Sequence, residues 1–217
     1  MQWQQWLLTP QRVAVDCDRA VAVVADLHLG YAAVRQRGGE AIPLPSLVEE
    51  LQPLAQVVQQ YAVRQILVAG DLFEDGRQPR QRLEAELLAW AASYGIRWRI
   101  VPGNHDRGLA DSLLEVVAQA QVGPWHILHG DQPTTLGPEV KILQGHEHTW
   151  LGWRRGPGQR ALGGPCYLLS DSHLVMPAYS ANAAGVNVRH QARWAKYRAA
   201  VIAGERVLDF GLVGELG

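Results

Sequence analysis

Side chains that could hold a metal ion or move a proton recur along this chain, and each group directly follows an apolar run. The groups are, in chain order, Asp26 with His28, then Asp71, then Asn104 with His105 and Asp106, then His129, and finally His146 with His148. Asn, Asp and Gly are also turn-forming residues, so any one group alone is equally well explained as a surface turn. Recurrence at five places indicates a shared site instead.

Buried strands are predicted before each of these groups, because the apolar runs are short and bounded by turn residues. The predicted strands span residues 21–25, 65–69, 97–101, 125–131 (ending in His129 and Asp131) and 140–144. A further short strand at 13–15 is joined to the first of these by a turn at 16–19. Helical spacing of apolar residues predicts helices over 31–37, 46–58 (capped by Ser46 and bent at Pro53) and 81–94. Alternating strands and helices favour parallel βαβ units, whose strands end on one rim of the sheet. We therefore expect the five polar groups to converge there.

Two of the groups contain a pair of side chains spaced two residues apart. In an extended segment, residues at this spacing point to the same side, so Asp26 and His28 could share one cation. The same argument applies to His146 and His148. Each pair is thus predicted to contribute to a single metal ion.

The predicted ligand set contains nitrogen and oxygen donors and no thiolate, which favours manganese, iron or zinc and argues against a structural zinc site. The five groups supply about seven ligands, which is more than one open catalytic site would use. We therefore expect two divalent ions, with manganese as the first choice. Two ions about 4 Å apart can hold a hydroxide and clamp the oxygens of an in-line phosphoryl displacement. The chemistry predicted is hydrolysis of a phosphate ester.

The remaining sequence predicts a helix over 111–119 and, beyond residue 150, a second sheet with strands at 166–170, 173–176, 198–202 and 206–210. With 217 residues, of which 47% are hydrophobic, the chain is expected to form a single domain over 1–217. Its formal charge of -1 and lack of a basic block do not by themselves demand nucleic acid. Two cysteines are too few for a disulfide framework. With no signal-like leader and no run of roughly 20 apolar residues, we expect a cytoplasmic protein without a membrane partner.

The motifs Asp26-x-His28, Gly70-Asp71, Gly103-Asn104-His105-Asp106, His129 and Gly145-His146-x-His148 resemble the motif set of the calcineurin-like metallophosphoesterases. The resemblance implies an α/β, four-layer fold of two packed mixed β-sheets flanked by helices. It also implies that Asp26, His28 and His148 hold one metal, that Asn104, His129 and His146 hold the other, and that Asp71 bridges them. His105 would assist the leaving group while Asp106 orients its ring, with a turn cap as the alternative role of Asp106.

A closer resemblance, covering nearly the whole chain, is to the bacterial ligase-associated DNA damage response endonucleases. It is carried by the segments 25–30, 42–45, 103–107, 165–167 and 176–179. The resemblance implies phosphodiester cleavage in DNA and an association with a DNA ligase and a helicase. Tyr31 and Glu74 depart from the pattern, where Lys and His are commoner. Both lie near the expected site, so they bear on substrate choice.

A DNA substrate would need contacts for its backbone and bases. Arg35 and Arg107 are candidates for phosphate, and Trp150 is a candidate for base stacking, as expected for single-stranded or damaged DNA. Trp153, Arg154 and Arg155 also follow the last motif and are further candidates. Each is also explained as a solvated arginine or a core aromatic residue.

Three functions remain open at this stage. The first is a metal-dependent nuclease, and the second is a phosphodiesterase or phosphatase acting on a small nucleotide or other small phosphoester. The third is a non-catalytic scaffold that uses the fold to bind proteins. A scaffold would be expected to lose ligands or His105, and this chain retains them all.

Overall fold

A computed structural model describes residues 1–75, 80–109, 112–137, 139–153 and 162–216. Its first sheet has seven strands in sequential order, β1 (Gln2–Trp3), β2 (Trp6–Leu8), β3 (Ala14–Asp16), β4 (Val21–Val24), β5 (Gln65–Ala69), β6 (Arg97–Val101) and β7 (Glu115–Val116). Strands β1 to β4 pair antiparallel, and β4 to β7 pair parallel. The predicted parallel units are therefore present, joined to an N-terminal antiparallel extension. Its strand β3 confirms the strand predicted at 13–15 and the turn after it, whereas β1 and β2 were not predicted.

The second sheet contains nine strands, β8 (Ala120–Val122), β9 (Trp125–Leu128), β10 (Lys141–Gln144), β11 (Thr149–Trp153), β12 (Leu162–Ser170), β13 (His173–Val175), β14 (Val186–Asn187), β15 (Arg198–Ala203) and β16 (Arg206–Leu212). Three neighbours in it, β9, β10 and β13, are parallel. Strands β15 and β16 form the predicted hairpin, which pairs with β12. Both sheets are thus mixed, and each contains a parallel block.

Four α-helices are described, α1 (Tyr31–Arg37), α2 (Leu47–Glu50), α3 (Gln52–Gln60) and α4 (Arg80–Tyr94). Ser46 and Glu49 form a capping box at the start of α2, which satisfies free amides of the first turn. The predicted helix over 46–58 is divided at Leu51, because Pro53 lies in the first turn of α3, where its missing N–H costs nothing. No helix within the described residues is long and apolar enough to cross a membrane.

Strand β4 is apolar throughout because both of its faces are covered. On β4, Ala22 and Val24 pack in the cluster beneath the helices, whereas Val23 belongs to the cluster between the sheets. A third cluster lies on the outer face of the second sheet, beneath short 3₁₀ helices at Ala192–Trp194 and Val213–Glu215. The result is the expected α/β architecture of two packed mixed sheets with flanking helices.

The helix predicted over 111–119 is wrong for the described part of that segment. Residues 115–116 form β7, and β8 begins at residue 120, while residue 111 lies outside the described residues. Val117 donates its amide to the Ile100 carbonyl, and Glu115 pairs with Arg99 at 2.7 Å. Pairing with the free edge of β6 therefore prevails over the local apolar spacing, as β-branched residues allow.

Candidate metal centre

The predicted polar groups meet where the parallel blocks of the two sheets end. Asp26, Asp71 and Asn104 follow β4, β5 and β6, whereas the histidines at 129 and 146 follow β9 and β10. His129 Nδ1 lies 3.1 Å from the Ala69 carbonyl, which ties an end of the second sheet to an end of the first. The sequence predicted one rim on one sheet. The structure instead builds the rim from both sheets.

The first cluster of donors consists of Asp26, His28 and His148. The Nε2 atoms of the two imidazoles face each other at 3.4 Å, and His148 Nε2 lies 3.6 Å from Asp26 Oδ1. One donor atom from each residue lies within 4.8 Å of the others, close enough to hold one ion. Asp26 and His28 are buried and His148 is half-buried, so the cluster is open on one side.

The second cluster consists of Asp71, His129 and His146. His129 Nε2 lies 3.3 Å from Asp71 Oδ2 and 3.2 Å from His146 Nδ1. Asn104 Oδ1 lies 3.0 Å from the same nitrogen. Three groups thus converge on one imidazole atom, which carries at most one hydrogen.

The donor chemistry of both clusters fits divalent cations. Two Nε2 atoms that face each other can share only one proton, and the Asp71 carboxylate adds further lone pairs in the neighbouring cluster. Carboxylate, amide and imidazole donors without thiolate suit manganese, iron or zinc. The seven predicted ligands are all brought together at this rim. Their assignment to two ions, and the bridging role of Asp71, stay predictions.

Backbone strain is concentrated in the predicted ligands. Left-handed φ angles occur at five of them, Asp26 (55°), His28 (48°), Asp71 (51°), His146 (69°) and His148 (44°). The pairs are therefore not extended, and the alternation argument for them is wrong, even though the pairs do converge. Asp and His tolerate this conformation better than bulkier residues. Residues held in such sparsely populated conformations cluster at functional sites.

Hydrogen bonds across the rim hold these strained segments. The amide of His146 donates to both carboxylate oxygens of Asp26, at 3.1 and 3.0 Å. The amide of Asp26 donates to the Gly70 carbonyl, and that of His28 to the Asp71 carbonyl, both at 3.0 Å. The end of one strand thus fixes the turn that follows another.

Two glycines permit the close packing around Asp71. A Cβ atom at Gly103 would collide with the Asp71 carboxylate, and one at Gly70 would collide with the ring of His129. Gly70 also has a φ of 82°, which an L side chain rarely adopts. The glycine that precedes each of two polar groups in the sequence is therefore a requirement of the site geometry.

His105 lies at the rim, although its ring partner differs from the one expected. Its amide donates to Asp71 Oδ1 at 2.8 Å, and its Nδ1 lies 2.9 Å from the Glu74 carbonyl. Asp106 was expected to orient this ring. Its carboxylate instead accepts three amide hydrogens, from Gly103, Leu72 and Phe73, at 2.9 to 3.2 Å. These are the contacts of the turn-cap alternative, because the Asp106 carboxylate closes the turn at 103–106 and holds the amides of Leu72 and Phe73.

Glu74 is a residue at this site whose contacts the sequence did not predict. Its Oε2 lies 2.7 Å from His28 Nδ1, and its side chain is 19% exposed. The sequence indicated that Glu74 lies near the site and departs from the pattern of the ligase-associated endonucleases, but not which side chain it contacts. What it contacts depends on the bridge between Leu29 and Phe73, which brings residue 74 back beside residue 28.

Charges within the clusters oppose the effect of burial on the histidines. Burial lowers the pKa of His129, but hydrogen bonding and charge from Asp71, together with the charge of Asp26, raise that pKa to about 9. Burial raises the pKa of Asp71, and the hydrogen bond and charge of His129 outweigh it, so the pKa lies below its usual value. The pKa of His148 is likewise raised, since Asp26 outweighs burial. The rim favours positive charge.

The three predicted substrate contacts, Arg35, Arg107 and Trp150, differ in their exposure and partners. Arg35 is paired with Glu40 at 2.5 Å, whereas no hydrogen bond or ion pair within the described residues engages the exposed side chain of Arg107. Trp150 is 37% exposed, two residues beyond His148 on β11. The side chain of Trp153, and all of 154 and 155, lie outside the described residues.

Comparison with known proteins identifies the class that this fold and rim define. The calcineurin-like phosphoesterase family matches residues 20–155, which is more than half of the chain and contains all seven predicted ligands. The chain therefore belongs to this family. Its members use divalent metals, and the clusters described above are the candidate ligands here.

Two individual relatives are nucleic-acid enzymes or repair proteins by name. The chain is similar to the DNA double-strand break repair protein Mre11 of Methanopyrus kandleri, with 32% identity over 88 residues. This match covers 40% of the chain and 19% of that protein. The crystal structure of Pseudomonas putida nuclease MPE shares the fold, with a TM-score of 0.71, 22% identity and 94% of both chains covered.

Proposed function

We propose that this protein is a two-metal phosphodiesterase that cleaves DNA, with single-stranded or damaged DNA as its substrate. The observation that carries the proposal is the convergence of two donor clusters from two sheets on one rim. Manganese is the proposed ion, and the cytoplasm the proposed compartment. Action beside a DNA ligase and a helicase belongs to the same proposal, on the strength of the sequence resemblance.

Bound divalent ions would supply the activated nucleophile and the charge stabilisation that phosphoester hydrolysis requires. Asp26, His28 and His148 would hold one ion, and Asn104, His129 and His146 the other. Asp71 is proposed to contact both. Asn104 contributes an oxygen without adding charge, so the site retains a net attraction for a phosphate.

His105 is proposed as the group that protonates or stabilises the leaving oxygen. Nδ1 donates its hydrogen to the Glu74 carbonyl, so Nε2 is the nitrogen that exchanges a proton. The imidazolium form would donate the Nε2 hydrogen to the leaving oxygen and return to the neutral ring. The ring packs edge to face against that of His28, with centroids 5.0 Å apart, so it lies directly beside the first cluster. A positioned acid of this kind typically contributes about 10²- to 10⁴-fold to the rate.

Trp150 supports a nucleic-acid substrate over a small one. A Cβ atom at Gly185 would lie 3.0 Å from the Trp150 Cβ atom and 3.1 Å from its ring, so the indole packs closely against a glycine. An indole fixed in this way and 37% exposed offers a stacking face for a base. Arg107 adds a cation that follows His105 by two residues. The names of the two relatives, a nuclease and a DNA break repair protein, point the same way.

A substrate panel tests this proposal. The manganese-loaded protein is incubated with single-stranded DNA, duplex DNA, cyclic nucleotides and a generic phosphodiester, and His105→Ala is the matched control for contaminating nucleases. Cleavage of DNA by the wild type and not by the variant is expected. Hydrolysis of the small substrates without cleavage of DNA would instead establish the small-molecule alternative. An inert protein that binds two metals would favour the scaffold.

The role of Trp150 is tested within the same panel. Trp150→Ala is expected to weaken binding of single-stranded DNA by about 1–3 kcal/mol, the usual value of one stacked base. Hydrolysis of the generic phosphodiester should be unchanged, because that substrate has no base. An equal loss on both substrates would show that Trp150 supports the site structurally.

A further inference from the structure

We propose that Glu74 is a positioning residue that holds two histidines of the rim at once, His28 through its side chain and His105 through its main chain. This inference rests on the proposed two-metal site. It assigns to Glu74 the task of fixing which nitrogen each imidazole presents. No substrate contact is required of it.

The side-chain link concerns the nitrogen of His28 that faces away from the first cluster. Nε2 faces His148, so Nδ1 is the atom left for a second partner. Nδ1 is buried, and the described residues offer it no hydrogen bond of good geometry, yet Glu74 Oε2 lies 2.7 Å away. Rotation about the last side-chain bond of Glu is soft, so aligning the carboxylate with the N–H costs little.

A carboxylate in this position has a defined effect on a metal-binding imidazole. It keeps the hydrogen on Nδ1, leaves the Nε2 lone pair for the ion and makes that nitrogen more basic. The side chain of Glu74 is mostly buried, which excludes competing water from this contact.

The main-chain link fixes the other ring. The Glu74 carbonyl lies 2.9 Å from His105 Nδ1, and the Glu74 amide donates to the Leu29 carbonyl at 3.1 Å. Residue 74 is thereby tied to the segment that carries His28 and to the loop that carries His105. Glu74 thereby sets the placement of His28, a predicted ligand, relative to His105, the proposed acid. It also orients the His105 ring, the role that the sequence predicted for Asp106.

The alternative use of these atoms is a third cation, since donors of His28, Glu74 and His105 also lie within 4.8 Å of one another. This is the less favourable assignment. His105 Nδ1 already has the carbonyl as its partner, and an ion there would require His28 to bind through both nitrogens. The two assignments predict different metal stoichiometries.

The experiment compares wild type, Glu74→Ala, Glu74→Gln and the control Glu115→Gln, which removes a surface carboxylate paired with Arg99 on the edge of the first sheet. Zinc and manganese affinities are measured by chelator competition. Long-range ¹H–¹⁵N spectra of the metal-free and zinc-loaded proteins report the tautomer of His28. We expect Glu74→Ala to weaken one ion by about 10- to 100-fold, to leave the other unchanged and to reduce the Nδ1–H form.

The conservative variant and the control define which results support the role of Glu74 and which overturn it. Glu74→Gln should recover part of the affinity, because its amide oxygen still accepts from Nδ1–H, and Glu115→Gln should match wild type. Unchanged affinities together with an unchanged tautomer in Glu74→Ala would overturn the inference. Three ions in wild type and two in Glu74→Ala would overturn it in favour of the third cation. These readouts need no turnover, so a failure of the proposed DNA cleavage is seen separately, in the substrate panel.

Discussion

Two histidine environments in this protein, the half-buried His173 and the buried His129, differ in the partners of their ring nitrogens. His173 places Nδ1 2.8 Å from the Tyr197 hydroxyl and Nε2 3.0 Å from Gln144 Oε1, so both of its nitrogens have neutral partners. His129 has three groups converging on Nε2, among them the Asp71 carboxylate and another imidazole. Burial lowers the pKa of His173 to about 4, whereas the carboxylates raise that of His129 to about 9 despite its burial.

This contrast shows why a histidine count alone does not define a metal site. The His173 environment is satisfied by the protein itself and favours a neutral ring. The rim gathers more lone pairs than it has hydrogens, and its carboxylates favour a positive charge there. A divalent cation satisfies both requirements at once. Each candidate cluster also draws ligands from both sheets, so bound ions would link the sheets at this rim.

Removing His105 should have the largest effect, because it separates catalysis from metal binding. His105→Ala is expected to lower kcat by about 10²- to 10⁴-fold while both ions remain bound. Steady-state kinetics on a phosphodiester and metal content after gel filtration are the measurements. Loss of an ion in this variant would show that His105 is itself a metal ligand.

Asp71→Asn tests whether the two clusters share a ligand. Because a bridging carboxylate neutralises charge at both ions, we expect the affinities for both to fall by about 100-fold or more, above the usual effect of a residue outside the ligand set. His148→Ala is the matched comparison and should weaken only the first ion. Titration with manganese, followed by calorimetry, measures both. An Asp71→Asn protein that loses one ion alone would contradict the bridge.

Chelation should lower the thermal stability of the wild type, since ions that bind only the folded state stabilise it. Free metal at 100 times its Kd contributes about 2.7 kcal/mol for one site. For a chain of this size, that corresponds to a fall in Tm of about 5–10 °C on adding chelator. Calorimetric scans with and without chelator measure the change. An equal shift in Asp71→Asn would mean that the stabilising ion binds elsewhere.

The rim could be predicted from the sequence because the sequence pattern shows where the buried strands end. The residues just before Asp26 and Gly70-Asp71, 21–25 and 66–69, are apolar at every position, which is typical of strands buried on both faces. The run before Asn104 is more mixed, since it includes Arg97 and Arg99. Polar groups at the ends of these strands must lie together if the strands are parallel. The ligand set followed from this reasoning and from the family resemblance. The family is shown by the match over 20–155, whereas the ligase-associated subgroup stays a proposal.

The details that the sequence did not predict depend on contacts between distant segments. The left-handed φ angles at Asp26 and His146 occur in segments held by hydrogen bonds across the rim, which no local pattern encodes. The role of Asp106 depends on the amides of Leu72 and Phe73, from a different loop. The strand at 115–116 likewise forms because β6 offers it an edge.

The smallest predicted effect concerns His173, and it tests the other half of the comparison. A ring whose pKa is about 4 when folded and about 6.5 when unfolded binds fewer protons in the folded state between those pH values. Stability contributed by the neutral ring is therefore fully present above about pH 6.5 and is lost as the pH falls toward 4. Between pH 7.5 and pH 5 we expect a loss of roughly 1–2 kcal/mol in the free energy of unfolding from this residue.

The histidines of the rim titrate as well, so the effect of His173 is isolated by comparison with a variant. His173→Gln removes the titrating ring and retains an amide that can meet the Gln144 and Tyr197 side chains. Urea unfolding of both proteins at pH 7.5 and pH 5, with chelator present to remove any contribution from bound metal, gives the difference between their pH dependences. A smaller loss of stability in the variant is expected. Equal losses in the two proteins would mean that folding does not lower the pKa of His173. Its environment would then tolerate a charged ring, as the rim does.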